Sequence, residues 1–319
     1  MRRLQFAFHA SSLTGMRVHP LETGVAIVRE RQLQGVEPFR RLRTVTTRTP
    51  WVEIPVRAWL IEHPDGLILI DTGQTARVNE PGYLPRENPY YLRNFKARVT
   101  PEEEVGPRIR ALGFDPADVR LTILTHLHLD HDGGVAHVLD SEIVVNATEY
   151  AAARGVAGRL RGYLPHRWPE GFAPRAVTLP PTPYGAFSHS LELAPGVVAV
   201  STPGHSPGHM SVVLEGEPRL LFAGDAAYTV DALYETRLDG LTVDAAAART
   251  TMSRIRAFAA ERETVVLPTH DPDAPARLAR DRDQHGRFAA RVAEQPQGDA
   301  VEPDQVPAAE AARRPGDAA

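Results

Sequence analysis

The chain has 319 residues, of which 42% are hydrophobic and 24% charged, and its formal net charge is −4. This length suits one large domain or two small ones with a buried core, and the mild acidity disfavours a general nucleic-acid binder. Cysteine is absent, which excludes disulfide scaffolds, cysteine nucleophiles and thiolate metal sites. The 13 histidines are therefore the first candidates for chemistry.

Short apolar runs rich in β-branched residues and bordered by turn residues predict strands along the chain. In chain order they lie at 24–29, 52–62, 67–70, 121–124, 143–145, 197–200, 210–214, 220–223 and 264–267. Helices are predicted from Pro101 to Leu112, over 148–154, and over 244–261 with Asp244 as the N-cap. Strands with helices inserted between them predict a layered α/β domain of two sheets covered by helices.

Three stretches fit neither a strand nor a helix pattern. Residues 78–99 and 155–187 are rich in Pro, Gly and aromatics, and we expect packed lid insertions there because long loops in a compact domain usually serve function. Residues 294–319 contain no aromatic residue, which predicts a disordered tail. The expected organisation is one domain over 1–293 followed by that tail.

The sequence gives no sign of a membrane span or an export signal. No window approaches 18 consecutive apolar residues, and the first residues lack the apolar run of a signal peptide. We therefore expect a cytoplasmic protein with no membrane partner and no nucleic-acid partner.

The most informative segment is THLHLDHDGG at 125–134, directly after a predicted buried strand. Alternate side chains of an extended segment project together, so His126 and His128 can reach one metal ion, while Asp130 and His131 on the following turn can face a second. Imidazole and carboxylate bind zinc, and also Fe, Mn or Co, where thiolate is absent. A solvated histidine-rich turn is the alternative, but such a pattern arises by chance in roughly one in a thousand chains of this kind.

Three further candidate ligands follow later strands. His205 lies in STPGHSPGH, Asp225 follows LLFAG, and His270 follows TVVLPT. Ligand sites collect at the carboxyl ends of strands in open α/β sheets. Alone, each residue would be interpreted as a structural histidine or a turn aspartate, but their recurrence at strand ends favours one shared metal site.

Together these segments resemble the metallo-β-lactamase-fold hydrolases over residues 21–275. The resemblance rests on Asp71 in IDTG, the THLHLDHDGG block, TPGHSPGH, the Gly-Asp pair at 224–225 and His270. It implies a four-layer αβ/βα sandwich with two metals at one edge of its sheets, Asp71 tying down the ligand loops, and His209 as a structural residue. It further implies that the first metal is bound by His126, His128 and His205, the second by Asp130, His131 and His270, and that Asp225 bridges them.

Within that fold, the sequence resembles one branch of hydrolases more than the others. Lactamases whose second metal needs a thiolate are excluded by the missing cysteine, and the diiron oxygen-reducing branch has Glu where His128 stands. Tyr228, three residues after Asp225, stands where the N-acyl-homoserine lactonases carry a tyrosine. A phenol there can donate a hydrogen bond to a substrate carbonyl oxygen as it becomes anionic, and the alternative is an ordinary core or lid tyrosine.

This resemblance implies a dinuclear hydrolase with two zinc ions, or Fe, Mn or Co in their place, that opens a lactone ring by attack of a metal-bridging hydroxide. The expected substrates are N-acyl-homoserine lactones, which would make the protein a quorum-quenching enzyme. Asp130 would carry a proton to the departing alkoxide, with Tyr228 on the carbonyl oxygen. Aromatic side chains either wall an acyl pocket or only pack the lids: Tyr83, Tyr90, Tyr91, Trp168 and Phe172.

Other functions stay open at this stage. The same metals would also serve an aryl phosphotriesterase or another ester or thioester hydrolase, and a protein of a different class would bind metal without catalysis. An intact set of seven ligands disfavours the last alternative, since a purely structural role needs no open dinuclear centre. Related lactonases are often dimeric, which leaves a homodimer open for this chain.

Overall fold

The computed structural model describes residues 16–280, which form two β-sheets with helices on their outer faces. The predicted tail at 294–319 lies outside the described residues, as do the two ends of the predicted domain at 1–15 and 281–293.

The first sheet contains seven strands. Their bounds are β1 Arg17–Arg29, β2 Trp51–His63, β3 Gly66–Ile70, β4 Phe95–Arg98, β5 Val119–Ile123, β6 Glu142–Asn146 and β7 Arg175–Val177. Across the sheet their order is β4-β1-β2-β3-β5-β6-β7. The pairs from β4 to β3 are antiparallel, whereas β3, β5, β6 and β7 run parallel and so end at the same edge.

The second sheet contains five strands. Their bounds are β8 Ser190–Ala194, β9 Val197–Ser201, β10 Met210–Leu214, β11 Arg219–Gly224 and β12 Thr264–Pro268. The order is β12-β11-β10-β9-β8, with β11 and β12 parallel and the other neighbours antiparallel. As a result, β9, β11 and β12 all point in one direction.

The helices are short, apart from one that spans the outer face of the second sheet. Their bounds are α1 Glu30–Leu33, α2 Arg40–Thr46, α3 Pro89–Arg93, α4 Val105–Ala111, α5 Ala147–Ala153, α6 Gly155–Leu160, α7 Val230–Tyr234, α8 Ala245–Glu261 and α9 Ala274–Ala279. None of the helices between residues 16 and 280 is long and apolar enough to cross a membrane.

Alternate side chains along a strand pack into different parts of the core, on opposite faces of the sheet. In β10, Met210 and Val212 pack between the two sheets, whereas Val213 packs against α8. Residues of α4 cover the outer face of the first sheet in the same way. Strands buried on both faces are apolar throughout, which is why they stand out in the sequence. The layers confirm the predicted αβ/βα sandwich.

The structure differs from the sequence prediction mainly at the sheet edges. β1 begins at Arg17 rather than at residue 24, because its polar first half pairs with β2. β4 and β7 lie within 78–99 and 155–187, where the sequence predicts irregular lids. These edge strands are short and partly exposed, and they therefore lack the apolar run that marks an interior strand. The sequence does not predict β8 either.

The predicted helices are found with small shifts. α5 and α8 match 148–154 and 244–261, and the Asp244 side chain accepts a hydrogen bond from the backbone N–H of Ala247 as an N-cap does. The helix predicted from Pro101 instead starts with a 3₁₀ turn, and the α-helix proper begins at Val105.

Phe222→Ala tests the packing between the sheets. Phe222 is buried against Trp59 of the opposite sheet, with ring centroids 5.5 Å apart, so truncation leaves a cavity. The free energy of unfolding should fall by about 3–5 kcal/mol, measured by urea titration. Leu92→Ala, at a side chain 62% exposed, is the control and should change the free energy by less than ~0.5 kcal/mol. Equal losses in the two variants would contradict this packing.

Candidate metal centre

The candidate ligands lie just after four strands that end at one edge of the sandwich. The loop after β5 carries four of them, and β9, β11 and β12 are each followed by one. Because those strands point the same way, their loops meet, and the structure brings together all seven predicted side chains: His126, His128, Asp130, His131, His205, Asp225 and His270.

Three imidazoles form the first group. The Nδ1 atom of His128 lies 3.0 Å from Nε2 of His126 and 3.0 Å from Nε2 of His205. Burial, reinforced by neighbouring histidines, lowers the pKa of His126 and His128 well below the usual value, so both imidazoles are neutral at pH 7. Neutral imidazole is the form that binds a metal ion.

The second group contains Asp130, His131 and His270. The Nε2 atom of His270 lies 3.5 Å from a carboxylate oxygen of Asp130, and Nε2 of His131 lies 4.0 Å from the other. The two histidines are buried, whereas the Asp130 side chain is 16% exposed. Asp130 is therefore the member of this group that solvent and substrate can reach.

Asp225 lies between the two groups and faces both. One carboxylate oxygen is 3.3 Å from Nε2 of His131 and 3.2 Å from Nε2 of His270, and the other is 3.4 Å from Nε2 of His205. Burial alone would raise the pKa of Asp225, but His270 and His131 hold it well below its usual range. An ionised carboxylate with one oxygen toward each group is placed as a bridge would be.

The polar atoms of this cluster fit metal ions. The Nε2 atom of His131 and the Oδ1 atom of Asp225 are buried without a hydrogen-bond partner in the part of the chain that the structure describes, although they lie 3.3 Å apart. An unsatisfied buried polar group costs about 1–3 kcal/mol. A set of nitrogen and oxygen donors without thiolate suits zinc, and also Fe, Mn or Co.

The far sides of three histidine rings are held by other groups. The Nδ1 atom of His131 is 2.8 Å from Asp71, that of His205 is 3.1 Å from Asp239, and that of His270 is 2.9 Å from the carbonyl oxygen of Pro55. An N–H that donates to such an acceptor leaves Nε2 free to face the cluster. These contacts therefore fix both the tautomer and the orientation of each ring.

Asp71 adopts an unusual backbone conformation at the end of β3. Its φ is 57°, in the left-handed region that Asp tolerates better than most residues. Besides meeting His131, its carboxylate accepts the backbone N–H of Thr125 at 2.8 Å. Asp71 thus links the start of the loop after β5, which carries His126, to the ring of His131. This agrees with the role that the resemblance to metallo-β-lactamase-fold hydrolases implies.

Glu149 on α5 joins two of the ligand loops from outside the cluster. This fully buried carboxylate accepts the backbone N–H of Leu127, between two of the histidines, and the backbone N–H of Gly208, in the loop that carries His205. It also accepts the hydroxyl groups of Tyr163 at 2.8 Å and Ser206 at 2.7 Å. The four donors hold the two loops in a fixed relation.

His209 lies beside the cluster but in neither group. Its Nδ1 atom is 2.8 Å from the Thr202 hydroxyl, and its Nε2 atom accepts the backbone N–H of Asp225 at 3.0 Å. Burial lowers the pKa of His209 to about 3, so the ring is neutral and able to accept. It positions the strand end that carries Asp225, in agreement with the structural role predicted for it.

Tyr228 lies at the cluster, and its ring centroid is 4.8 Å from that of His270. Its hydroxyl oxygen accepts a hydrogen bond from the Gln32 side chain at 3.1 Å, and Gln32 in turn accepts from the Tyr90 hydroxyl at 2.6 Å. Burial raises the pKa of Tyr228 well above its usual value, so the phenol keeps its proton. The two neighbours hold that hydroxyl in place.

The predicted aromatic residues divide into two sets. Tyr90 and Tyr91 line a cavity that also reaches His128, Asp130 and Asp225. Three others do not line that cavity. Tyr83 packs in the same apolar cluster as Tyr91, whereas Trp168 and Phe172 contact each other against a separate cluster. The Trp168 indole stacks on Tyr150 and donates to Asp132 at 2.7 Å. For this second set, lid packing is the interpretation that the contacts support.

Three supporting residues were not predicted from the sequence: Gln32, Glu149 and Asp239. Asp239 begins an Asp-Gly turn and accepts backbone N–H groups of Leu241 and Thr242, so it looks like an ordinary turn residue in sequence. Glu149 lies in a helix, where a glutamate is normally exposed. No local pattern distinguishes either from a surface residue.

The sequence profile of the metallo-beta-lactamase superfamily matches residues 51–270. The chain belongs to this superfamily. It is 31% identical to AttM, an N-acyl homoserine lactonase of Rhizobium radiobacter, over 232 residues that cover 70% of the chain and 84% of the relative.

Two solved structures share the fold of this chain. One is an N-acyl homoserine lactone hydrolase with the product N-hexanoyl-L-homoserine at its catalytic metal centre; it has a TM-score of 0.64 and 22% identity, covering 81% of this chain and 94% of that one. The other is AidC, a dizinc quorum-quenching lactonase in complex with a product, with a TM-score of 0.59 and 16% identity, covering 82% and 89%. As a member of the superfamily, the chain described here is itself a hydrolase with a metal cofactor.

Glu149→Gln tests the support of the ligand loops. Each carboxylate oxygen accepts two donors, and the amide puts an N–H₂ group in place of one oxygen. The loops should therefore loosen, and zinc affinity should fall about tenfold or more. Competition with a chromogenic chelator measures the affinity. Glu235→Gln, at a side chain 62% exposed, is the control and should bind zinc as the wild type does. Unchanged zinc affinity in Glu149→Gln would refute this role.

Proposed function

We propose that this hydrolase opens the ring of lactones, and of N-acyl-homoserine lactones in particular, and so quenches acyl-lactone signals. The observation that carries the proposal is that Tyr228 lines one cavity together with His128, Asp130 and Asp225 of the ligand cluster. The similarity to lactonases over most of the chain supports the same class of substrate. Leu160, which lines the cavity, is exposed, so the cavity is accessible from solvent.

Two zinc ions are the proposed cofactor, with Fe, Mn or Co as ions that the same donors accept. His126, His128 and His205 would hold one ion, Asp130, His131 and His270 the other, and Asp225 both. Bound there, the ions would lower the pKa of a water molecule and polarise the ester carbonyl.

Tyr228 is the proposed donor of a hydrogen bond to the carbonyl oxygen. Because its oxygen already accepts from Gln32, its own O–H is left to donate, and no acceptor for it lies among the hydrogen bonds of residues 16–280. Negative charge develops on the carbonyl oxygen when the ester carbon becomes tetrahedral, so a donor fixed beforehand stabilises that state more than the ground state.

Asp130 is the proposed proton carrier. Its carboxylate is partly exposed, and it lines the cavity beside His128. When the ring C–O bond breaks, the departing oxygen needs the proton that the attacking water gives up, and Asp130 can take it from one and deliver it to the other. The products are an alcohol and a carboxylic acid within one ring-opened molecule, and the acid releases its proton to solvent at neutral pH.

For the chain as a whole we expect one domain over 1–293 with lid insertions near 78–99 and 155–187, and a cytoplasmic location. A homodimer is compatible with this proposal but is not required by it.

Metal removal and a substrate panel test the proposed activity. Protein loaded with zinc should bind about two equivalents per chain, lose activity on chelation and regain it when zinc is returned. Among N-hexanoyl-homoserine lactone, an aryl phosphotriester and a glutathione thioester, kcat/KM should be highest for the lactone. A higher value for either of the other two would replace lactone hydrolysis with that reaction.

Tyr228→Phe tests the hydrogen bond to the carbonyl oxygen. Removing the hydroxyl should lower kcat on the lactone about tenfold or more, with zinc content unchanged. Tyr184→Phe is the matched control, because Tyr184 packs on Phe258 away from the cluster, and it should keep wild-type turnover. Wild-type turnover in Tyr228→Phe would remove this role.

A further inference from the structure

Side chains of two chemical kinds line the cavity at the metal-ligand cluster. Asp225, His128 and Asp130 belong to the cluster itself. Arg41, on α2, and Arg161, directly after α6, are exposed and line the same cavity. Apolar side chains line the space as well: Val28, Val45, Phe95, Leu129 and Leu160.

The two arginines have no anionic partner. Within residues 16–280, neither guanidinium forms an ion pair or a side-chain hydrogen bond. Two arginines of the same segments do have partners: Arg40 pairs with Glu37 and donates to the carbonyl oxygen of Thr242, and Arg159 pairs with Glu87. Arg41 and Arg161 instead keep their charges available to an anion that enters the cavity they line.

The charges of this pair also repel each other. Burial, followed by repulsion from Arg161, lowers the pKa of Arg41. The acids nearby are already engaged: Asp239 holds His205, and Asp225 faces histidines of both groups. Two adjacent guanidinium groups without a counter-charge cost free energy, which an anionic ligand would recover.

We infer that Arg41 and Arg161 select substrates whose acyl group carries an anionic group, such as a terminal carboxylate, away from the ester that is hydrolysed. This inference rests on the proposed function, because it is the lactone ring at the candidate metal ligands that directs the acyl chain toward the arginines. The apolar side chains suit the methylene groups between the ester and the anionic group. Arginine suits the anionic group because its planar fork binds a carboxylate through two parallel hydrogen bonds.

A matched pair of lactones tests the inference on the zinc-loaded full chain. N-hexanoyl- and N-adipoyl-homoserine lactone have acyl chains of equal carbon number, and only the second ends in a carboxylate. For the wild type, kcat/KM should be about tenfold higher for the adipoyl compound at low salt, and 0.5 M NaCl should reduce this preference.

Substitution of each arginine tests whether Arg41 and Arg161 cause the preference for the adipoyl compound. In Arg41→Gln and Arg161→Gln the ratio of the two kcat/KM values should fall toward one. Arg43→Gln, on the same helix but not among the cavity residues, should keep the wild-type ratio. Equal kcat/KM values for both lactones in the wild type, or a ratio that survives both substitutions, would overturn the inference.

Binding of the ring-opened acids separates this inference from the proposed function. Calorimetry should show that N-adipoyl-homoserine binds about tenfold more tightly than N-hexanoyl-homoserine, and that Arg41→Gln removes the difference. If this binding preference holds while neither lactone is hydrolysed, the proposed function fails and the anion preference stands. Equal binding of both acids would refute the anion preference whatever the rates are.

Discussion

A single buried carboxylate, that of Asp225, faces histidines contributed by both sheets, and the rest of the site is arranged around this contact. One of its oxygens meets His131 and His270, and the other meets His205. A charge with almost no access to water is tolerated only with close partners of complementary charge. Because those partners come from both halves of the sandwich, the two sheets must present their strand ends at the same edge.

Two further buried carboxylates, those of Asp71 and Glu149, hold the segments that carry the candidate ligands. Asp71 accepts from Thr125 and holds His131 from a left-handed backbone conformation, which is an outlier of the kind that clusters at functional sites. Glu149 takes four donors from two loops and a neighbouring tyrosine. These carboxylates do not face the cavity, but they leave the histidine rings little freedom. The positions of the histidine rings are therefore fixed by hydrogen bonds within and between the loops that carry them.

The sequence was sufficient to predict the sandwich, its interior strands and the seven candidate ligands, because each of these leaves a local pattern. His126 and His128 lie on one short segment, and His205, Asp225 and His270 each follow an apolar run. Contacts between distant segments leave no such pattern: Gln32 meets Tyr228 across 196 positions of the chain. The edge strands β4 and β7 escaped prediction for a related reason, since partial exposure replaces their apolar run with polar residues.

The distribution of the candidate ligands over both sheets also bears on how the protein folds. Neither sheet alone offers a complete set, because Asp130 and His131 follow β5 in the first, whereas His205, Asp225 and His270 follow strands of the second. A cation that needs the full set binds the assembled sandwich and not a chain with only one sheet formed. By mass action such binding favours the assembled state over every partly folded one. Metal supply would then act on the cooperativity of folding, coupling the two halves of the sandwich into one unfolding transition.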